Sequence, residues 1–192
     1  MLNDRTSLVS YFATRRSARP RDLIEPGPDP AQLARILEIA ARTPDHGKLF
    51  PWRFVHVGKA RRLAFAEMLH AAYRAGKAEA PARLEIEAVE RFATQAPELI
   101  VLLSCLVQGH KIPVWEQELS CGAVAMNLLH AAAAFGFDGG WVTGWPAYSP
   151  LVLESLNGRP SERIAGFFFL GTTGVEPEER PRPAMAAVVS EW

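Results

Sequence analysis

The chain is poor in the features that usually disclose a role. It has only two cysteines, Cys105 and Cys121, with no Cys-x-x-Cys spacing. They lie in apolar surroundings and read as buried thiols of a reducing compartment, so neither a disulfide framework nor a thiolate metal site is expected. It has no excess of either charge: Lys+Arg and Asp+Glu are 21 each and the net charge is zero. That balance argues against a large basic footprint, and no nucleic-acid partner is expected. No Gly-x-Gly-x-x-Gly follows a strand-like run, and there is no Gly-Lys-Ser/Thr loop and no Gly-x-Ser-x-Gly elbow. A dinucleotide-binding Rossmann domain and a P-loop nucleotidase lose support, and nothing points to a hydrolytic triad. His46, His110 and His130 are scattered without metal-ligand spacing, so no metal is expected.

Long hydrophobic runs are also scarce. Leu119 to Phe137 carries no formal charge and is long enough to span a bilayer. It is mostly Ala and Gly, with Ser120, Asn127 and His130, which suits a buried helix closely packed through small residues rather than a membrane span. The N-terminal Met-Leu-Asn-Asp-Arg-Thr-Ser lacks the apolar core of a signal peptide. A cytoplasmic protein without a membrane partner is the expectation. No internal repeat or low-complexity tract is present.

What is present is a chain of 192 residues, 48% of them hydrophobic. That suits one domain over residues 1–192, or one subunit of an intertwined oligomer, with a substantial core. Arg far outnumbers Lys and clusters at Arg15, Arg16, Arg19 and Arg21. Guanidinium suits a two-pronged grip on phosphate or carboxylate better than ammonium does.

Residues 3–14 place Leu8, Val9, Tyr11 and Phe12 at helical spacing, and Pro20 lies just beyond the helix end. Arg15, Arg16 and Ser17 then offer two guanidinium forks and a hydroxyl, a sensible phosphate clamp. Residues 21–28 read as a linker. Asp29, with Pro30 and Gln32 behind it, predicts a capped helix whose buried stripe is Leu33, Ile36, Leu37 and Ala40. A strand is expected over 53–57, helices over 59–94 with a break near Pro81, and a strand buried on both faces over 98–104. Pro113 opens a long apolar helix, with Glu116 and Glu118 suited to its positive end and Gly136 as its stop. A helix apolar around most of its circumference needs cover on more than one side, and the same helix of a second subunit could provide it through Gly122, Ala123 and Ala125. A short helix after Ser149-Pro150 and a buried strand over 164–171 complete the chain, before a Pro-rich tail with Arg180 and Arg182.

Two stretches carry more chemistry than a plain connection needs, the first with a plainer alternative of its own: a helix C-terminus with basic residues near its dipole, then a rigid Pro turn. Arg42-Thr-Pro-Asp-His-Gly-Lys-Leu-Phe-Pro-Trp52 puts a cation, an acid, a histidine, a lysine and a Pro-Trp pair in one loop. A loop built only to turn would favour Gly, Asn and Ser. Gly139-Gly-Trp-Val-Thr-Gly-Trp145 joins glycines, which let a ligand approach backbone, to a stacking Trp and a hydrogen-bonding Thr. A glycine-bounded strand with core tryptophans is the plainer alternative.

Taken in order, Arg15-Arg16-Ser17, Arg42-x-Pro44-Asp45-His46 with Pro51-Trp52, Trp115-Glu116-Gln117-Glu118 and Gly140-Trp141-Val142-Thr143-Gly144 resemble the nitroreductase family of flavoproteins, and within it the short YdjA-type branch of NAD(P)H nitroreductases. The similarity runs over nearly the whole chain. It implies an α+β fold, a central mostly antiparallel sheet flanked by helices, in an intertwined homodimer with FMN at the subunit interface. By position, Arg15, Arg16 and Ser17 would hold FMN from one chain, Arg42 and His46 would reach it from the other, and Trp141, Val142 and Thr143 would line it from the first again.

The implied activity is an FMN-dependent NAD(P)H oxidoreductase. NADH or NADPH would be the donor, and a small oxidised molecule such as a nitroaromatic or quinone the acceptor, served in turn by a ping-pong mechanism. The flavin carries the chemistry, so no catalytic acid or base is assigned. A specialised flavin reaction (dehalogenation or dehydrogenation) on the same scaffold, and a flavin-binding protein without useful turnover, are the alternatives.

Overall fold

Strand Glu98–Ser104, β3 in chain order, shows why its sequence is one unbroken apolar run. Successive side chains of a strand point to opposite faces. Leu99, Val101 and Leu103 enter one core, while Ile100 and Leu102 enter another on the opposite face. All five are fully buried. The computed structural model describes residues 1–192. In it the other strands are β1 (Leu23–Ile24), β2 (Trp52–His56), β4 (Asp138–Val142) and β5 (Arg163–Thr173). β2 pairs β3, β3 pairs β5, and β5 also pairs β1 and β4, all antiparallel. The α+β expectation of an antiparallel sheet flanked by helices therefore holds.

The α-helices are α1 (Leu8–Thr14), α2 (Pro30–Ala40), α3 (Arg62–Ala75), α4 (Arg83–Thr94), α5 (Val114–Ala134), α6 (Trp145–Tyr148) and α7 (Pro150–Ser155). α3, α4 and α7 supply the core on one sheet face, with Phe167 and Phe169 of β5. α2 and α5 supply the other, with Phe168 and Leu170. Phe92 of α4 meets Phe167 and Phe169 edge-on, at 5.1 and 5.4 Å between ring centres. Fully burying each such side chain contributes roughly 1.5–3 kcal/mol, so the Phe167-Phe168-Phe169 run is a principal anchor of both layers.

The α2 start follows its sequence: the Asp29 carboxylate accepts from the Gln32 backbone N–H (2.8 Å) and the Gln32 side chain accepts from that of Asp29 (3.0 Å). Two segments differ from expectation. Residues 23–24 pair with β5 instead of forming a plain linker, since Thr172 and Thr173 offer an open edge. α1 begins only at Leu8, because Ser7 caps it by accepting from the Ser10 N–H at 3.0 Å. Of its apolar residues only Tyr11 is buried, and Leu8, Val9 and Phe12 stay exposed.

By contacts along the chain, Ser17–Gly174 forms one compact unit, while Met1–Arg16 and Val175–Trp192 form a second, smaller one. In the smaller unit Asn3 donates its backbone N–H to the Thr14 carbonyl (3.0 Å) and accepts from the Arg16 N–H (2.6 Å). No helix of the chain is long and apolar enough to cross a membrane.

Candidate flavin site

The loop from Arg42 to Trp52 is fastened by side chains of α5. That helix is largely apolar, yet Glu116, Ser120 and Asn127 recur on one side of it at spacings of four and seven. The Asn127 amide donates to the Thr43 hydroxyl (2.7 Å) and to the Arg42 carbonyl (3.3 Å). The Ser120 hydroxyl donates to the Pro44 carbonyl (2.7 Å). Nδ1 of His46 lies 2.7 Å from Oε2 of Glu116. The loop thus runs antiparallel to α5, with residues 43, 44 and 46 meeting 127, 120 and 116. Its far half is set by Asp45, whose carboxylate accepts from the Phe50 N–H at 2.8 Å. Gly47, Lys48 and Phe50 all sit at positive φ (80°, 54° and 49°), a conformation that non-glycine residues hold only where surroundings impose it.

The result is a rigid loop that presents its charges outward. Arg42 is exposed, and its guanidinium makes no hydrogen bond or ion pair within the chain. His46 keeps Nε2 uncommitted, with 65% of its side chain accessible.

The second segment is carried by the sheet. Ala18 donates its backbone N–H to the Gly139 carbonyl at 3.0 Å. A Cβ on Gly140 would stand 2.4 Å from the Ala18 carbonyl oxygen, so only glycine permits this approach. Ser17 is thereby joined through its neighbour to the strand that leads into Trp141-Val142-Thr143. The Trp141 indole stacks on Phe168 (5.4 Å, 25°) and donates Nε1–H to the Ala165 carbonyl at 3.0 Å. It remains 38% exposed. The glycine-bounded strand is therefore real, and at its end Val142 is half-buried and the following Thr143 is exposed. Trp145, just beyond, packs inward on Tyr73 of α3 at 4.8 Å.

Arg15 and Arg16 belong to the smaller unit. Arg16 donates Nε–H to the Glu178 carbonyl (2.6 Å) and lies 3.7 Å from the Glu179 carboxylate. Arg182 donates to the Arg15 carbonyl at 3.3 Å and pairs with Glu179 at 3.0 Å. The Pro-rich tail thus fixes the backbone at Arg15 with one arginine of its own.

Within one chain, no hydrogen bond or ion pair links Arg42 or His46 to Trp141, Val142 or Thr143. A cavity of about 770 Å³ bounded by Tyr148, Ser149, Leu153, Glu154, Glu162 and Arg163 includes none of the candidate site residues. Sequence reasoning missed the roles of Ser120, Asn127 and Glu116 in holding the loop, taking Glu116 only as an acid at a helix start. The signal available was their placement: three polar residues on one stripe of an otherwise apolar helix. It also missed Gln117, which is buried and binds the Val107 N–H (2.8 Å) and the Val107 and Ile112 carbonyls (both 3.1 Å), shaping the connection into α5.

Phosphate asks for cations and hydroxyl donors, and a flat tricyclic ring asks for aromatic and open backbone neighbours. An unpartnered Arg42 guanidinium, an uncommitted His46 nitrogen and an exposed Thr143 beside Trp141 fit that demand.

Comparison with known proteins agrees over most of the chain. Residues 12–172 match the nitroreductase family model. The Escherichia coli (strain K12) protein named "Putative NAD(P)H nitroreductase YdjA" is 36% identical over 164 residues, covering 85% of this chain and 87% of that protein. A nitroreductase-like family protein from Bacillus cereus shares the fold with a TM-score of 0.80 at 20% identity, over 100% of this chain and 99% of that one. The FMN and NADPH-dependent nitroreductase NfnB from a Sphigopyxis species (strain HMH) does so with a TM-score of 0.72 at 19% identity, over 94% and 96%. With the ordered motifs, the fold and the family match all in agreement, this chain belongs to the nitroreductase family.

Proposed function

We propose that this protein is an FMN-dependent NAD(P)H oxidoreductase whose flavin site is completed by a second copy of the chain. The observation that carries the reading is the Arg42–His46 loop: a segment pinned to α5 that holds out a guanidinium without a partner in its own chain and an imidazole whose Nε2 is uncommitted. Family membership and the names of its relatives, which include NAD(P)H and FMN, support the choice of donor and cofactor.

In this reading Arg15, Arg16 and Ser17 grip the phosphate end of FMN by charge-assisted hydrogen bonds. Trp141, Val142 and Thr143 line the ring from the same chain. Arg42 and His46 of the partner subunit close the site. FMN supplies the hydride- and electron-carrying chemistry, and the protein supplies position and access.

Pairing of two copies is supported by α5. Trp115 and Leu119 are exposed, Met126 is only partly covered, and a Cβ on Gly122 would meet nothing. An uncovered apolar stripe of this kind marks an interface. Ala125, first considered for that contact, is instead fully buried in its own chain's core, so Gly122 and Ala123 carry the role.

The chain has no separate nucleotide motif, so NAD(P)H and the acceptor, a nitroaromatic or quinone, use the same open face in turn. Purified protein should be yellow and release FMN on denaturation, and double-reciprocal plots with a quinone should be parallel. Colourless protein that fails to bind FMN at micromolar levels ends the cofactor assignment. Intersecting lines with a ternary complex end the shared-face mechanism alone.

A further inference from the structure

We propose that Glu116 is the positioning residue of the site: it fixes the ring of His46 as the Nδ1–H tautomer, so that Nε2 is presented as a hydrogen-bond acceptor. The inference rests on the flavin reading above, but its first test does not.

The contact is short and unambiguous in partner. Nδ1 of His46 stands 2.7 Å from Oε2 of Glu116. A carboxylate accepts and cannot donate, so the nitrogen facing it carries the proton. In a neutral imidazole the other nitrogen then holds the lone pair. A free histidine has no such constraint and samples both tautomers and several rotamers.

Stability does not explain the pair. Its two side chains are 65% and 43% accessible, and an exposed ion pair contributes little to folding. Glu116 is also the acid in the first turn of α5, where Pro113 at the N-cap supplies no side-chain acceptor, but that role requires no partner on the loop. What the pair does is complete a series. Asn127 holds Thr43 and the Arg42 carbonyl, Ser120 holds the Pro44 carbonyl, and Glu116 holds the His46 ring. Asn127 and Ser120 hold backbone carbonyls and the buried Thr43 hydroxyl, and Glu116 alone holds an exposed side chain. A series that ends by orienting one exposed imidazole makes sense only if the direction and proton of that ring matter. Outward from Glu116, Nε2 can accept from a hydroxyl or imide N–H, the donor groups of a flavin's ribityl chain and ring. Preorganising it saves the cost of choosing tautomer and rotamer at the moment of binding.

The first experiment uses the FMN-free protein. Imidazole ¹⁵N–¹H correlation spectra should show His46 with Nδ1 protonated. Glu116→Ala should shift it towards Nε2–H, and Glu116→Gln, whose amide oxygen also accepts, should retain Nδ1–H. Unchanged spectra in Glu116→Ala, or an Nε2–H ring in the unaltered protein, overturn the proposal whatever the flavin does.

The second experiment measures FMN affinity. Loss of one oriented hydrogen bond corresponds to about fivefold weaker binding for Glu116→Ala, with Glu116→Gln within about twofold of the parent. The unfolding midpoint should stay within about 2 °C. In a His46→Ala background Glu116→Ala should weaken FMN no further, since its only route is through that ring. An equal loss in both backgrounds would mean Glu116 acts through the helix end, and the proposal falls. If the tautomers behave as expected but His46→Ala leaves FMN affinity untouched, the Glu116 lock stands and only the assignment of His46 to the flavin is lost.

Discussion

Arg62 and Arg42 sit at the two ends of the same problem. Arg62, at the start of α3, is 6% exposed and gives its N–H groups to four backbone carbonyls: Val57 at 2.7 Å, Ala93 at 3.0 Å, Pro97 at 3.2 Å and Gln95 at 3.3 Å. Arg42, after α2, is exposed and has no side-chain partner within its chain. On the α3–α4 side a cation has been taken out of water and consumed in tying a helix end to the start of β3. On the α2–α5 side Asn127, Ser120 and Glu116 do the tying and the cation is left over. A buried charge bonded at each of its nitrogens is structure, and an exposed charge on a fastened loop is available for a ligand. The comparison can be tested by removing each cation in turn.

The largest effect is expected at Arg62. Burial pushes its guanidinium down to about 10, with Glu98 opposing, so it is still a cation at neutral pH. Arg62→Met keeps much of the apolar stem and leaves four carbonyls without their donor. A loss of about 3 kcal/mol follows, the relief of desolvation offsetting part of a larger penalty. Urea unfolding checks it. A loss below about 1 kcal/mol would mean that water reaches these carbonyls and that the hairpin is anchored elsewhere.

Arg42→Ala should do the reverse, leaving unfolding within about 0.5 kcal/mol and weakening FMN. Losing one charge-assisted contact costs about 1.5–3 kcal/mol, or roughly 10- to 150-fold in affinity, and Arg15→Ala should cost as much. A mixed dimer of the two variants sharpens the comparison. With the two arginines gripping one FMN from opposite chains, both lesions fall in one site and the other stays intact. Two equivalent, half-damaged sites would place both arginines in one chain's site.

The division between the two sides was only partly legible in the sequence. β3 could be read from its unbroken apolar run, α2 from Asp29, Pro30 and Gln32, and α5 from its length and the stop at Gly136, because each of these signals is local. The candidate site residues could be read as types in order, since guanidinium, imidazole and indole are scarce enough to stand out. Arg62 could not. In sequence it is one basic residue beside Arg61 on a charged helix, and its carbonyl partners come from two separate stretches, Val57 and residues 93–97. The same holds for Glu116, Ser120 and Asn127: helical spacing puts them on one stripe, but only the antiparallel course of the Arg42–His46 loop gives the stripe a purpose. The pairing of Leu23–Ile24 with β5 depended on an open sheet edge that no local signal announces.

A smaller effect separates the sides by pH. At the α3–α4 turn the Glu85 carboxylate takes bonds from Lys77 (2.8 Å), the Tyr73 hydroxyl (2.5 Å) and the Ala82 N–H (2.9 Å). These partners, Lys77 first, hold it down to about 2 from an ordinary 4.5. A carboxyl depressed on folding stabilises fully above its unfolded value, and that support is lost as pH falls through the folded one. The protection factors of amides at the start of α4, which remove the intrinsic pH dependence of exchange, should therefore fall between pH 4.5 and about 2. Glu85→Gln should raise exchange at neutral pH and flatten the response. An equal loss of protection in α5 would assign the change to general acid unfolding.

The smallest effect is expected at the cysteines, one belonging to each side. Cys121 is 3% exposed in the α2–α5 core, and burial pushes its thiol up to about 11, a Ser104 hydrogen bond opposing. Cys105, at the end of β3, packs against the other core and is half-buried; burial first, then the Glu162 carboxylate, pushes it up to about 12. Only the thiolate reacts with alkylating agents. At pH 8 the thiolate fractions are then about 1 in 1,000 and 1 in 10,000, with access restricted besides. Neither thiol touches the Arg42–His46 loop or the Trp141 turn through any hydrogen bond. Iodoacetamide at pH 8 should thus leave both unmodified over an hour and NAD(P)H turnover unchanged, and Cys105→Ser should stay within a few-fold of the parent. Cys121→Ser should cost more in stability than in turnover, because a hydroxyl enters the apolar layer beneath α5 and must find an acceptor there. Rapid alkylation of Cys105 with matching loss of turnover would mean that the end of β3 opens in solution and that the α3–α4 side, too, reaches the chemistry.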